Sequence, residues 1–464
     1  MKRLTRNFIS ILLSDIGRRL IGFAAVAYLT RTISVGEYGA VNVGLTLLSY
    51  GLMLSSGGLS SYGTREIVRS DSPGLVGGIL GTRLLNSLIV YGLTAVIAVV
   101  AIANRLTSGL TLLFCGSLFL NAFLLEWYFQ GKEAMGVIGL SRLAGAAVYL
   151  GMLLLFVRDH EHVLWIAGAA LAGDLTLSVV LMAVYGARNG TAGLRPRFDG
   201  WMPIMKQAFP IGAGSILAHL SVNLPPLVLG ALLSNTEVGI YSAASKLVFF
   251  LLILDRVMAT ILLPASTRFF ASSPEQLSAT LGTAVRWILV LALPLSVGGM
   301  LLADRLLPFV FGAQYGAAAP AFRVLIWFFF FTLLHTIYST ALIVINREKL
   351  FGKLMAVSSV VYLVAIVAGS WFLGPVGAAG GMVFSEAVTV LLMRRASFRL
   401  IPIRFPRNAA GLLLAVAGMS GVIVLLPGLP LFVLIGAGGA VYVLLIGLLR
   451  VVTRNDLREI LSRV

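Results

Sequence analysis

The sequence predicts an all-α polytopic membrane protein of about fourteen transmembrane helices, built as two parallel six-helix lobes plus two extra C-terminal helices. Three observations predict it. Apolar residues make up 59% of 464 and charged residues 11%, with a mean hydropathy of +0.98; a soluble chain of this length needs far more charge to cover its surface. The apolar residues gather in runs of roughly 18 to 25, each long enough to cross a ~30 Å hydrocarbon core. A polar break at Ser34 returns at Ser234. Lipid forces every backbone group to be satisfied within its own segment, so such runs are helices. The short alternating stretches of a membrane barrel do not occur.

The first run, 7–32, follows a basic start that looks like a signal peptide for a dozen residues. Asp15, Arg18 and Arg19 then break its apolar core, so it reads as an uncleaved first span. The next five runs are 38–61, 79–103, 108–128, 136–157 and 163–186. A polar linker, "GARNGTAGLRPRFDGWMPIMK" (186–206), separates them from 207–231, 238–262, 284–303, 322–345, 351–373 and 375–393. Two last runs are 409–426 and 430–450. With the N-terminus taken as cytoplasmic, the segments outside these spans hold 21 Lys and Arg on the inside and 3 on the outside. That bias fits fourteen spans with both termini cytoplasmic.

The repeat divides the chain. Residues 7–39 laid on 207–239 match at Ile11, Ile16, Leu20, Leu29, Ser34, Glu37 and Gly39. Tyr149 answers Tyr362, and Asp174 answers Glu386. Both copies start on the same side, so the halves are related by an axis along the membrane normal, as in alternating-access transporters. The expected organisation is an N-lobe at 1–186, a cytoplasmic linker at 187–206, a C-lobe at 207–395, and two further spans with a cytoplasmic tail at 396–464.

Net charge is +17. In a soluble protein this would point to nucleic acid; in a membrane protein it reflects basic cytoplasmic loops, and no nucleic-acid partner is expected. A single cysteine, Cys115, excludes disulfides and thiolate metal sites. There is no Walker A sequence, zinc pattern or paired-carboxylate constellation, so the chain reads as a non-enzyme without cofactor or bound metal.

Ionisable groups at mid-membrane cost at least ~2.5 kcal/mol each and need a reason. In the first span Asp15 has the spacing to pair with Arg18 or Arg19, leaving a positive charge over. Span seven presents Ser215, His219 and Asn223 as a polar stripe running into Pro225 and Pro226, and span ten presents Thr332, His335 and Tyr338. Lys246 lies deep in span eight. Arg83, Arg142, Arg256 and Arg286 lie within about two turns of cytoplasmic helix ends, where snorkelling to the interface explains them as well as a cavity does. Arg18 and Lys246 lie too deep for that. A cavity shared by these cations suits an anionic ligand such as a phosphate. Asp15, Asp174 and Glu386 are the acids placed to carry H⁺ or Na⁺, with ion pairing to nearby arginines the plainer alternative.

Several stretches carry a family likeness. "LTRTISVGEYGAVNVG", "WYFQGKEAM", "LIVINREKL" and "PFVFGAQYGAAAPAFRVLIWF" resemble the Wzx-like polysaccharide flippases of the MOP transporter superfamily, over essentially the whole chain. The resemblance implies two six-helix lobes around a cationic cavity that opens to alternate sides. It implies transport of an undecaprenyl-pyrophosphate-linked oligosaccharide, the repeat unit of O-antigen, capsule or exopolysaccharide, across the bacterial inner membrane. It also implies membrane lipids and polysaccharide polymerase or export proteins as partners. Three alternatives stand beside it: a lipid II flippase; a MATE-like multidrug/cation antiporter, which predicts more acids than bases inside the membrane; and a membrane polysaccharide polymerase or ligase, against which the short external links argue. Glu37 and its glycines read as the shape of a tight turn rather than as a ligand.

Overall fold

The computed structural model describes residues 2–70, 72–398, 401–402 and 408–452, with side chains described outside 2–13, 73, 213–222, 271–272 and 274. Among the described residues there are helices and turns and no strand. The helices are α1 (Lys2–Thr32), α2 (Val35–Ser56), α3 (Leu59–Arg69), α4 (Pro73–Val100), α5 (Arg105–Cys115), α6 (Ser117–Ala122), α7 (Glu126–Gly131), α8 (Met135–Phe156) and α9 (Leu164–Asn189). After the linker come α10 (Trp201–Val222), α11 (Leu224–Leu232), α12 (Asn235–Leu251), α13 (Ile253–Ser272), α14 (Pro274–Phe311), α15 (Ala319–Val344), α16 (Glu348–Phe398), α17 (Ala409–Leu425) and α18 (Leu431–Leu448).

Every expected span falls on helix, yet among the described residues ten helices are long and apolar enough to cross a membrane, against the fourteen expected. The difference has local causes. Helix α1 carries Asp15, Arg18 and Arg19 in its middle, and α17 is only 17 residues long. Span seven is divided into α10 and α11 at Asn223. Helix α16 runs through two expected spans as one 51-residue element bent at Gly374, whose φ of 56° and ψ of −135° are non-helical. That φ is open to glycine and strained for other residues, and Pro375 behind it removes a further helix hydrogen bond.

The chain packs as two compact units, Met1–Ser242 and Ala243–Val464. In the first, α8 lies along α9 and α1, and α2 along α5. Its core surrounds the α7 aromatics: Trp127 and Phe129 are fully buried, and Tyr128 meets Tyr185 of α9 edge-on at 4.8 Å. Helices α10 and α11 pack on α3, α4 and α2. The unit boundary is therefore one of packing and the lobe boundary one of repeat. The linker is strapped to α4, with Arg197 N–H donating to Gly77 O at 2.9 Å; a methyl added at Gly81 would stand 2.0 Å from Arg197 O. Gly77 and Gly81 thus admit an extended strap. Gly377 and Gly381 admit a helix: they press on Gly369 and Ala365 of the first half of α16.

In the second unit α15 packs on both α16 and α14, while α17 and α18 pair with each other and rest on α14. Tyr442 of α18 donates to Val290 O at 2.5 Å, and Arg305 donates to Leu429 O at 2.9 Å. Large apolar side chains such as Val100 on α4 and Phe432 on α18 point outward. In lipid such a surface carries no hydrophobic penalty. Between α8 and α9, outside the spans, the His162 ring lies 2.7 Å from Asp159 and holds that carboxyl below its usual range.

The two polar breaks are helix starts. Ser34 N–H and its hydroxyl both donate to the Glu37 carboxylate at 2.8 Å, while Glu37 N–H donates to Ser34 Oγ, a reciprocal cap of α2. Glu237 N–H donates to Ser234 Oγ at the start of α12. The two starts lie against each other. A methyl added at Gly39 would stand 1.7 Å from Asn235 O, and one at Gly239 would stand 2.1 Å from Val35 O.

Candidate functional site

Polar groups inside the first unit gather at the broken fourth span. Gly116 separates α5 from α6, and residues 123–125 separate α6 from α7, so carbonyls near the second break lose their helical donors. Arg83 of α4 supplies them: Nη1 donates to Leu124 O at 2.9 Å and Asn121 O at 3.4 Å, and Nη2 donates to Ser60 Oγ at 2.7 Å. The side chain is only 4% exposed, and among the described residues its Nε has no acceptor. A guanidinium held by carbonyls and a hydroxyl keeps its charge uncancelled.

Arg83 lines a polar cavity of about 520 Å³ together with Ser56, Asn121, Glu126, Gln130 and Asn223. Glu126 carries the network outward. Arg142 of α8 grips it with two parallel bonds, Nε to Oε1 at 2.6 Å and Nη2 to Oε2 at 2.8 Å. Arg142 Nη1 also donates to Asp15 of α1 at 3.3 Å, and Arg18 Nη2 lies 3.8 Å from the same Asp15 oxygen. Arg18 is about half exposed, whereas the Asp15 side chain is 13% exposed. Three arginines and two carboxylates, one of them shared, leave this cluster net positive.

The other residues singled out from the sequence are spread more widely. Arg19 is half-buried on α1. Asp174 lies beside Tyr149, as its repeat partner Glu386 lies beside Tyr362. Asn223 sits at the α10–α11 break, with Pro225 and Pro226 inside the first turn of α11 rather than at the break. The side chains of His219 and Ser215 lie outside the described residues. In the second unit, Lys246 is half-buried on α12 and has no ion pair among the described residues. Arg256 is exposed on α13. Arg286 donates to Val451 O at 2.5 Å, tying α14 to the chain beyond α18.

His335 and Glu386 are brought together at 2.7 Å through Nδ1 and Oε1. Asp255 stands nearby, accepting from Thr336 at 2.5 Å. The second unit also holds an apolar groove of about 580 Å³ lined by Trp287, Leu295, Phe322, Met419 and Tyr442. Glu126, Asp255 and Tyr362 were not singled out as site residues. For the two acids the signal was in plain view, since both fall inside expected apolar spans. No group of three or more metal-ligating side chains occurs among the described residues.

Comparison with known proteins places this arrangement. The chain is similar to the probable low-salt glycan biosynthesis flippase Agl15 of Haloferax volcanii, 19% identical over 421 residues, 88% of this chain and 86% of that protein. In fold it resembles the lipid II flippase MurJ in an inward closed conformation, with a TM-score of 0.78 and 12% identity over 94% of this chain and 98% of that one. It also resembles an inward-facing MATE-family multidrug resistance transporter of the MOP superfamily, at a TM-score of 0.65 and 16% identity over 82% and 95% of the two chains. The polysaccharide biosynthesis protein family model matches residues 4–270, more than half the chain, and the protein therefore belongs to that family.

Proposed function

We propose that the protein is a flippase that carries an undecaprenyl-pyrophosphate-linked oligosaccharide across the bacterial cytoplasmic membrane by alternating access, with both termini cytoplasmic. The observation that carries the reading is the net-positive cluster around the polar cavity of the first unit. Arg83, held by carbonyls, and half-exposed Arg18 offer charge to a pyrophosphate, and the serine, asparagine and glutamine side chains of the cavity offer the donors and acceptors that sugar hydroxyls need. The apolar groove of the second unit suits a polyprenyl chain. Lys246, deep in the eighth span, is a cation of the C-terminal half. Family membership and the flippase among its relatives support the same reading.

The test is surface polysaccharide export. An Arg18→Ala, Lys246→Ala double variant should reach the membrane at normal levels and lose export. Normal export in that variant sinks the cationic-site reading.

One observation favours a second reading. The likeness to the lipid II flippase spans 94% of the chain, and lipid II presents the same polyprenyl pyrophosphate to the same cations. Rescue of a strain depleted of its lipid II flippase would decide for that substrate; failure to rescue, with export of surface glycan intact, decides for the oligosaccharide.

A further inference from the structure

The second unit holds a polar cluster that the flipping of an anionic lipid does not use. Glu386 of α16 is 4% exposed in an apolar bundle. One of its oxygens faces His335 Nδ1 of α15 at 2.7 Å, and the other accepts from Tyr362 OH, on the first half of α16, at 2.5 Å. Among the described residues Glu386 has no other hydrogen-bond or ion-pair partner. The second carboxylate, Asp255 of α13, is within electrostatic range of both His335 and Glu386 and accepts from Thr336.

We propose that His335, Glu386 and Asp255 form a proton-binding site where α13, α15 and α16 meet, with Glu386 buried and the other two part-buried. With one proton shared by His335 and Glu386 that pair is neutral, and an ionised Asp255 leaves the three groups with one negative charge. A net charge in this surrounding is costly; a second proton, bound by either carboxylate with no bond broken elsewhere, removes it.

The groups facing the cluster from each packed element are few. Helix α13 brings exposed Arg256. Helix α16 brings Arg394, near Tyr338 one turn beyond His335. Helix α12, whose Phe249 packs edge-on against Phe328 of α15, brings Lys246 one turn away. Helix α14 brings Arg286, which is engaged with Val451 O. None of these touches Glu386, whose charge partner is a histidine, the side chain that titrates nearest neutrality.

Both Glu386 oxygens already have hydrogen-bond partners, which leaves little for a sodium ion to bind; a proton needs no such vacancy. In the N-terminal half the matching acid and tyrosine are Asp174 and Tyr149, and the sequence repeat gives no counterpart for His335. The proton site thus belongs to one half of the duplication. The inference holds whichever lipid the protein carries.

The full-length protein in lipid nanodiscs allows a direct test, because the chain has only four histidines. Isotope-labelled histidine resolves each imidazole by NMR, with H335Q assigning its signal, and infrared difference spectra on acidification report carboxyl protonation. The expected result is a protonated-carboxyl band that appears together with the His335 transition. It should be abolished when both carboxylates are removed, in a D255N, E386Q double variant, and shifted in Y362F, which removes one hydroxyl. A band and a His335 transition unchanged in the double variant overturn the proposal. Should the double variant not fold, a band unchanged in Y362F and in each single variant, D255N and E386Q, overturns it equally. If sodium at fixed pH moves the His335 signal as acid does, the site binds a metal cation and the proposal falls.

Discussion

Arg142 stands between two carboxylates that the apolar bundle would otherwise strip of water. Its side chain is 25% exposed and those of Asp15 and Glu126 are 13% and 17% exposed. Removing the guanidinium takes from Glu126 its two-bond partner and from Asp15 the nearer of its two arginines, and breaking such a pair costs about 3 kcal/mol or more. Arg142→Ala should therefore lower the thermal midpoint of the purified protein in detergent. A triple variant, Asp15→Asn, Glu126→Gln, Arg142→Met, should recover most of the loss, because it removes all three charges together. Full stability of Arg142→Ala alone would show that water screens the cluster. The sequence allowed the Asp15–Arg18 contact, because i,i+3 spacing on one helix is a local fact. The bridge from α1 to α8 was not legible: one sequence does not reveal which face of α8 meets α1. Asp255 and Glu126 were legible as lone acids in apolar spans, but their partners were not.

At the scale of the element, breaks decide as much as helices do. The fourth span is interrupted at Gly116 and again at 123–125, and Arg83 is spent on the carbonyls of the second break. The apolar run 108–128 gave no warning, since hydropathy measures composition and not continuity of hydrogen bonding. Depth gave Arg83 two readings, interface or cavity; the structure adds a third role, holding a helix break closed. The bend of α16 was nearer the surface of the sequence, where Gly374 and Pro375 stand between neighbouring expected spans. Gly374→Ala should destabilise the protein by about 1–3 kcal/mol, because a side chain is strained at this φ and ψ. Thermal unfolding in detergent measures it; an unchanged midpoint would mean that α16 straightens through the bend at no cost.

At the scale of the molecule, helical class, membrane environment and duplication were all readable, because lipid imposes length and hydropathy on every span. Where the two copies touch was not, because a repeat states likeness and not contact. The joint between the starts of α2 and α12 is made of backbone, with Gly39 over Asn235 and Gly239 over Val35. Gly39→Ala should force it apart, whereas Gly22→Ala, which meets nothing within 4 Å, should not. With buried Cys115 replaced by serine, Val238→Cys, at a fully buried position, reports the opening. Thiol labelling there should quicken about tenfold in the Gly39→Ala variant, equivalent to ~1.4 kcal/mol; equal rates in the two variants would refute the joint. Three of the seven identities between the copies, Ser34, Glu37 and Gly39, fall within these last six residues of the aligned stretch. The two sides, alike in sequence, serve as each other's surroundings, so a change in either must suit its twin. Elsewhere along the aligned helices only four identities are spread over the other 27 positions.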